Sequence, residues 1–469
     1  MIPPFSKKLI AHVDMNSYFA SVEQQANPFL RGKALGVCSY LHEYGCVIAA
    51  SIEAKRAGMK VGMTMKEARE RVPGSVFVQN DPPKYRAVTS RVFAILHELT
   101  DRMEHYSIDE AFLDLTGWYR DPAEAAWALT RVRTRIRDEV GEWLRCSIGI
   151  APTRFLAKTA SDLEKPNGLV IIDKHNLDEV LAGLDLEDVC GIGPRIRKRL
   201  ERMGYKTLLE VKRAPVGNLM RVFGKQGLYL SCKLNGMEFE KVLNAGSSLP
   251  KSIGHSYCVP DRVNREGKVE ATLMRLTERV GRRMRSLGMR ASQLSVSVGF
   301  RASGFAAPQG PFWSPLAGQG AFATKHFGVP VDDSFSLVGG ALEIFREQWH
   351  GELVNFLAVT LFDLSQPTGQ LRLDALCCLE RSSGEVERSS VESKVSPLHF
   401  AALHSGRDDV GGWSRRQDKR HSVSEAMEAI RGRYGDQAIM FGSMVSLGDE
   451  APDRIGFRKT EGVDVVLPQ

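Results

Sequence analysis

Over the first 180 residues, apolar and polar positions switch repeatedly between two periods. Short apolar runs at 9–13, 47–50, 76–79, 111–115 and 147–151 predict strands, and stretches at 67–71, 85–99 and 122–140 predict helices. That alternation predicts an α/β or α+β domain. Near 186 the texture changes to short helices punctuated by glycine turns, and 235–252 reads as a linker. From 269 to 287, Val269, Leu273, Leu276, Val280, Met284 and Leu287 recur at helical spacing. Arg275, Arg279, Arg282 and Arg285 fall mostly off that stripe, which predicts a cationic helix face. A strand is predicted at 293–300, where Leu294, Val296, Val298 and Phe300 alternate with polar neighbours, and another at 357–361. The Gly/Pro-rich stretch 303–320 between them reads as a long loop, and the set predicts a small α+β domain. Residues 380–422 are polar and predict a mobile linker. Ser422 and Glu425 fit a capping box ahead of Val423, Met427 and Ile430, so order is expected to return there as a helix.

The chain has 469 residues, enough for about three domains at roughly 100–200 residues each. Its eight cysteines form no C-x-x-C pair, which argues against a zinc site and a disulfide framework. No apolar run approaches the ~20 residues of a membrane span, and the N-terminus has no secretory core, so a cytoplasmic monomer is expected. The net charge is only +7, but it is unevenly distributed. Residues 191–301 carry 23 Lys and Arg against 8 Asp and Glu, so the remainder is net negative. Such a concentration predicts a polyanion-binding region.

Three carboxylates then ask for explanation. Asp14 ends the first apolar run, with Tyr18 and Phe19 close behind, while Asp109 and Glu110 interrupt the apolar run 106–115. Carboxylates among buried residues need partners. Taken singly, turn residues and a helix N-cap account for them better. Taken together, an oxygen-only set suits a shared divalent cation, magnesium or manganese rather than zinc. Adjacent strand residues point to opposite faces, so Asp109 and Glu110 can share a centre only at a bend, and a tight turn or bulge is predicted at 107–110.

The segments DMNSYFASVE, EAKRAGMKVGM, YSIDEAFLDL, SIGIAPTRFLAKTASDLEKPNG and the GIG at Gly191 occur in the order found in Y-family translesion DNA polymerases. Over roughly residues 8–365 the chain resembles the bacterial DNA polymerase IV, DinB-like type. The resemblance implies a multidomain α+β and α/β right-hand polymerase. Palm would fall at 1–30 and 81–180, fingers at 31–80, and a helical thumb with a helix-hairpin-helix at 181–240. A linker at 241–250 would lead to a little finger at 251–365 and a C-terminal tail at 366–469, ordered near 422–460.

By position, the resemblance makes Asp14, Asp109 and Glu110 the catalytic carboxylates for two metal ions, with the Met15 backbone carbonyl as a further ligand. Phe19 falls at the steric gate that rejects a 2′-hydroxyl, Tyr18 packs beside it in the nucleotide region, and Lys165 approaches the triphosphate. The fingers depart from the family pattern, with Ala49, Ile52 and Lys55 where threonine, tyrosine and arginine are usual. Two hydroxyl donors are lost and a bidentate fork becomes a point charge, so weaker nucleotide binding is expected, with Ser51 as a substitute donor and Lys55 still on phosphate. Gly191, Gly193 and Pro194 read as a glycine turn opening a helix whose N–H groups can take DNA phosphate. Arg195, Arg197, Lys198 and Arg199 follow, and with Arg275, Arg279 and Arg282 they complete the expected DNA contacts. Gln370 to Asp374 is a weak sliding-clamp motif lacking its final aromatic. The implied activity is template-directed, low-fidelity addition of deoxynucleotides from dNTPs to a primer. Its rivals are a silent polymerase-like DNA-binding scaffold and a nucleotide-cyclising enzyme with a similar palm.

Overall fold

The computed structural model describes residues 6–43, 45–237, 242, 249–259, 263–264, 267–300, 320–366, 410–434, 438–442 and 444, with only the backbone over 410–418. The chain divides into two units, one up to Leu249 and one from Pro250.

The first unit begins with β1 (Ile10–Met15), α1 (Tyr18–Ala26), β2 (Leu35–Cys38), β3 (Val47–Ala50), α2 (Ile52–Arg56), α3 (Met65–Arg71) and β4 (Val76–Gln79). There follow α4 (Pro82–His97), β5 (Met103–His105), β6 (Glu110–Asp114), α5 (Pro122–Arg135), β7 (Cys146–Ala151), α6 (Arg154–Leu163) and β8 (Leu169–Ile171). It ends with the helices α7 (Leu177–Ala182), α8 (Pro194–Arg202), α9 (Leu208–Arg213), α10 (Val216–Phe223) and α11 (Lys225–Leu234). A five-stranded sheet of order β5-β6-β1-β7-β8 is its centre. Both β1 and β7 are buried along their whole length, as expected of strands covered on two faces. A separate sheet, β3-β2-β4, closes over Cys38, Val47, Met59, Met65 and Val72.

α6 lies very close to β7, and Gly149 permits it. A Cβ at Gly149 would stand 2.0 Å from the Ala157 carbonyl oxygen and 2.4 Å from the Ser161 amide. His12 on β1 fastens the same helix, its Nδ1 lying 2.7 Å from Ser161 Oγ. Thr153 caps α6, accepting from the Leu156 amide at 3.2 Å. This packing carries the lysines of α6 and of the loop after it to the end of β1.

The second unit comprises β9 (Ser252–Cys258), α12 (Val269–Ser286), β10 (Arg290–Phe300), β11 (Gly320–Val331), α13 (Ser334–Gln348), β12 (Val354–Ser365) and α14 (Val410–Tyr434). Its sheet runs β11-β10-β12-β9, and Leu294, Val296 and Val298 meet Leu361, Val359 and Leu357 across the ladder. These residues form one core with Leu273, Leu276 and Val280 of α12 and Ala341, Ile344 and Phe345 of α13.

One expectation fails here. The helix predicted to start at Ser422 instead runs unbroken from Val410 to Tyr434, so Ser422 lies in its interior and 410–422 is not linker. A capping box needs a chain that leaves the helix before it, and this one does not.

The cationic face of α12 is partly engaged within its own unit. Ala271, Thr272, Met274, Thr277 and Glu278, all off the apolar stripe, are buried as well. Arg275, Arg279 and Arg282 are half-buried, and each has an interaction partner. Arg285 is committed to Glu278 at 3.3 Å and Glu428 at 2.5 Å. The cause is α14, whose side chains approach α12 and α13. Arg431 Nη1 lies 2.8 Å from Glu278 Oε1, and Ser424 Oγ accepts from the Ser334 amide at 3.0 Å. Met274 and Val338 pack with Met444 just beyond it.

The sequence reading also passed over β11 and α13, whose glycines blur the alternation and the apolar stripe. The clamp motif at 370–374 and the rest of the linker at 380–409 lie outside the described residues. Among the described residues, no helix is long and apolar enough to cross a membrane.

Candidate active site

The carboxylates meet where β1 ends and β6 begins. Asp14 and Glu110 face each other across the antiparallel ladder, and the Met15 amide donates to the Asp109 carbonyl at 2.9 Å. The predicted turn is present. The amides of Tyr106 and Ser107 both donate to the Glu110 carbonyl at 3.1 Å, which folds 107–109 into a tight corner. Ser107 Oγ completes it, donating to Asp109 Oδ1 at 2.5 Å.

Charge is crowded at this corner. Burial first, then the neighbouring Asp14 and Glu110, push the Asp109 carboxyl up to about 7. Burial also raises Asp14, although Lys165 pulls the other way.

Two lysines answer the acids. Lys165 Nζ lies 2.5 Å from Asp14 Oδ2 and 2.7 Å from Asp162 Oδ1, and Lys158 Nζ lies 2.7 Å from Glu110 Oε1. With Asp14 and Glu110 turned onto lysines, no three His, Cys, Asp or Glu side chains among the described residues are placed to hold a metal ion as they stand. The donor set itself fits one: oxygen ligands only, on an anionic corner whose central carboxylate resists ionisation through burial and its acidic neighbours.

Lys158, Asp162 and Asn16 were not singled out in the sequence. Asn16 ties the Lys165 loop down, its Oδ1 accepting from the Asn167 amide at 2.8 Å and its Nδ2 donating to Ser147 Oγ at 3.0 Å. The one signal was the spacing of Lys158 and Asp162, four apart on α6, which also describes an ordinary solvated face.

Phe19 is buried on α1, its ring stacked on Tyr85 with centroids 4.4 Å apart and planes 14° from parallel. Tyr18 does not offer its hydroxyl to a ligand: it is buried and donates to the Tyr85 carbonyl at 2.8 Å.

Ser51 is likewise not a spare donor. It is fully buried as the N-cap of α2, gives its proton to the Lys33 carbonyl at 3.1 Å, and accepts from the Leu35 and Ala54 amides at 3.1 and 3.2 Å. The residues before a helix start favour such capping, and that takes the hydroxyl.

Lys55, one turn on, is exposed and within electrostatic reach of the acidic corner. Desolvation, then Lys165, lower its pKa, while Asp14 and Asp109 act to raise it.

Farther along, Gly193 is the N-cap of α8 and Pro194 its first residue, after Gly191 with φ +98°. Arg195 and Lys198 are exposed there, whereas Arg197 is ion-paired with Glu201 at 2.8 Å and Glu187 at 3.7 Å.

The impB/mucB/samB family model matches residues 13–162, and the model of that family's C-terminal domain matches 250–374. DNA polymerase IV of Moorella thermoacetica is 34% identical over 61% of this chain and 71% of its own length. DNA polymerase IV 2 of Bacillus subtilis is 28% identical over 96% of this chain and 97% of its own. Among solved structures, a Y-family DNA polymerase chimera of Dbh and Dpo4 superposes with a TM-score of 0.63 at 24% identity, covering 76% of this chain and all of the chimera.

Proposed function

This chain belongs to the impB/mucB/samB family, the Y-family DNA polymerases of the DinB type, and from that membership we propose how its residues carry the reaction. It is a DNA-directed DNA polymerase of the lesion-bypass type, a metal-dependent nucleotidyltransferase. Its substrates are primer-template DNA and dNTPs.

In the proposed assignment, residues 1–30 and 81–180 are the palm, 31–80 the fingers, 181–240 the thumb and 251–365 the little finger. The described part of 410–444 belongs with the little finger.

The observation that carries the site reading is the acidic corner of Asp14, Asp109 and Glu110 with its two lysines. These carboxylates and the Met15 carbonyl would hold two magnesium ions, or manganese. Such ions, when bound, lower the pKa of the primer 3′-hydroxyl and offset the charge of the triphosphate. The chain's own groups do the rest by positioning. Lys165 and Lys158 neutralise Asp14 and Glu110, and Lys165, beside the acidic corner, would be at hand for a phosphate held there. Phe19 closes the sugar side against a 2′-hydroxyl. Gly191, Gly193, Arg195 and Lys198 present amides and cations to the DNA backbone without reading its sequence.

Extension of a primed template, intact and carrying a damaged base, tests this function. Synthesis past the damage with dNTPs and magnesium is the expected result, and failure to extend even the intact template would refute it. Lys55 supplies a finer test. Lys55→Ala should raise the KM for dNTP by about tenfold with kcat little changed, because a point charge near phosphate contributes to binding. An unchanged KM removes Lys55 from the nucleotide site.

A further inference from the structure

We propose that Glu23, which touches no nucleotide, sets the rejection of ribonucleotides by bracing Tyr85 against the ring of Phe19. The inference rests on the reading of Phe19 as the sugar gate.

Tyr85 is completely buried, and its ring is the flat backing of Phe19, stacked at 4.4 Å. It is held at both ends. Its carbonyl accepts from the Tyr18 hydroxyl at 2.8 Å, and its own hydroxyl donates to Glu23 Oε1 at 2.8 Å. Glu23 is itself only 6% exposed on α1, a costly place for a carboxylate. Lys84 secures it, Nζ lying 2.9 Å from Oε2 and 3.1 Å from Oε1. Thus α1, which carries the gate ring, and α4, which carries its backing, are bolted together by one half-buried ion pair and two tyrosine hydroxyls.

The physical need for such a brace is simple. A pocket wall that can yield rejects an added hydroxyl only weakly. Phe19 discriminates against a 2′-hydroxyl to the extent that it cannot retreat, and the side chain behind it is Tyr85. Glu23 fixes where Tyr85 stops. It is a positioning residue, acting through two rings on a group it never meets.

The test compares kcat/KM for one dNTP and the matching rNTP in single-nucleotide insertion. The variants are Phe19→Ala, Tyr85→Phe, Glu23→Ala and Glu23→Gln. Tyr85→Phe keeps the ring and removes only the bolt, so it decides the matter even if Glu23→Ala folds poorly.

Tyr85→Phe and Glu23→Ala should each raise ribonucleotide kcat/KM by about tenfold, mainly through kcat, with the dNTP value within about twofold of the parent. Glu23→Gln, whose amide oxygen still accepts from the tyrosine, should stay near the parental ratio. A purely structural role would lower both substrates together. If Phe19→Ala relaxes selection while Tyr85→Phe does not, the brace is wrong and the gate stands. If Phe19→Ala leaves selection unchanged, the gate reading falls and the brace with it.

Discussion

Asp109→Asn should all but abolish primer extension, lowering kcat by about a thousandfold or more. Loss of several kcal/mol of charge stabilisation at the reacting phosphate corresponds to that factor. The amide has the shape of the carboxylate, so packing at the 107–110 turn survives, and the Ser107 hydroxyl can still donate to the amide oxygen. Only the charge is gone. The variant should also melt no lower than the parent in metal-free buffer. The substitution removes a buried carboxylate whose pKa is pushed up to about 7 by burial, Asp14 and Glu110, and such an anion opposes folding when ionised.

Magnesium supplies the complementary measurement. An ion held at this corner in the folded state raises the melting temperature of the parent through mass action, and the rise should be lost or much reduced in Asp109→Asn. A variant that extends primers at near-parental rate, or a parent whose melting temperature is indifferent to magnesium, would remove the carboxylates from the reaction. Asp14→Asn should behave alike in activity, with one difference. It frees Lys165 from its 2.5 Å partner, leaving Asp162 as its anchor.

The second large effect lies far along the chain. Arg431→Met should destabilise the unit that begins at Pro250 by about 3 kcal/mol or more. Glu278 is 5% exposed on α12 and gathers Arg431 at 2.8 Å, the Ser334 hydroxyl at 2.8 Å and Arg285 at 3.3 Å. Arg431 is as deeply buried and donates a second time, from Nε to the Ile439 carbonyl at 2.8 Å. Removing the arginine leaves a buried carboxylate with its weaker cation and orphans the loop behind α14.

Chemical denaturation of the full chain, followed by hydrogen exchange in α12 and α13, measures the loss. A change under about 1 kcal/mol would mean that the pair is no more than a surface salt bridge. The double variant Glu278→Met, Arg431→Met should recover much of the stability, since two apolar side chains leave no buried charge unpaired.

The legible parts of the sequence share a physical trait. Strands 47–50 and 76–79 were readable to the residue because short β-rich runs there are bounded by polar turns. The stripe from Val269 to Met284 was readable because these residues share one sheet-facing core, and packing on one sheet imposes one period. Asp14, Asp109 and Glu110 stood out because carboxylates inside apolar runs have to be explained, and a bend between the last two was required by strand geometry. Ser51 misled because a hydroxyl free to meet a ligand and a hydroxyl capping a helix are the same letter. Arg285 shows a second limit: helical periodicity records one partner, and α12 has more than one, with Glu428 of α14 on Arg285.

What the sequence alone determined is therefore the local part: where strands and helices lie, that three acids must be answered by cations, and which family shares these motifs. Tertiary structure decided which cations answer them. It set Lys158 on Glu110 and Lys165 on Asp14, Tyr85 behind Phe19, and a helix beginning at Val410 over Glu278. Hydrophobic period and the cost of burying charge are written in neighbouring residues. The choice of partner among distant polar groups depends on which helix packs on which sheet, and no local pattern carries that information.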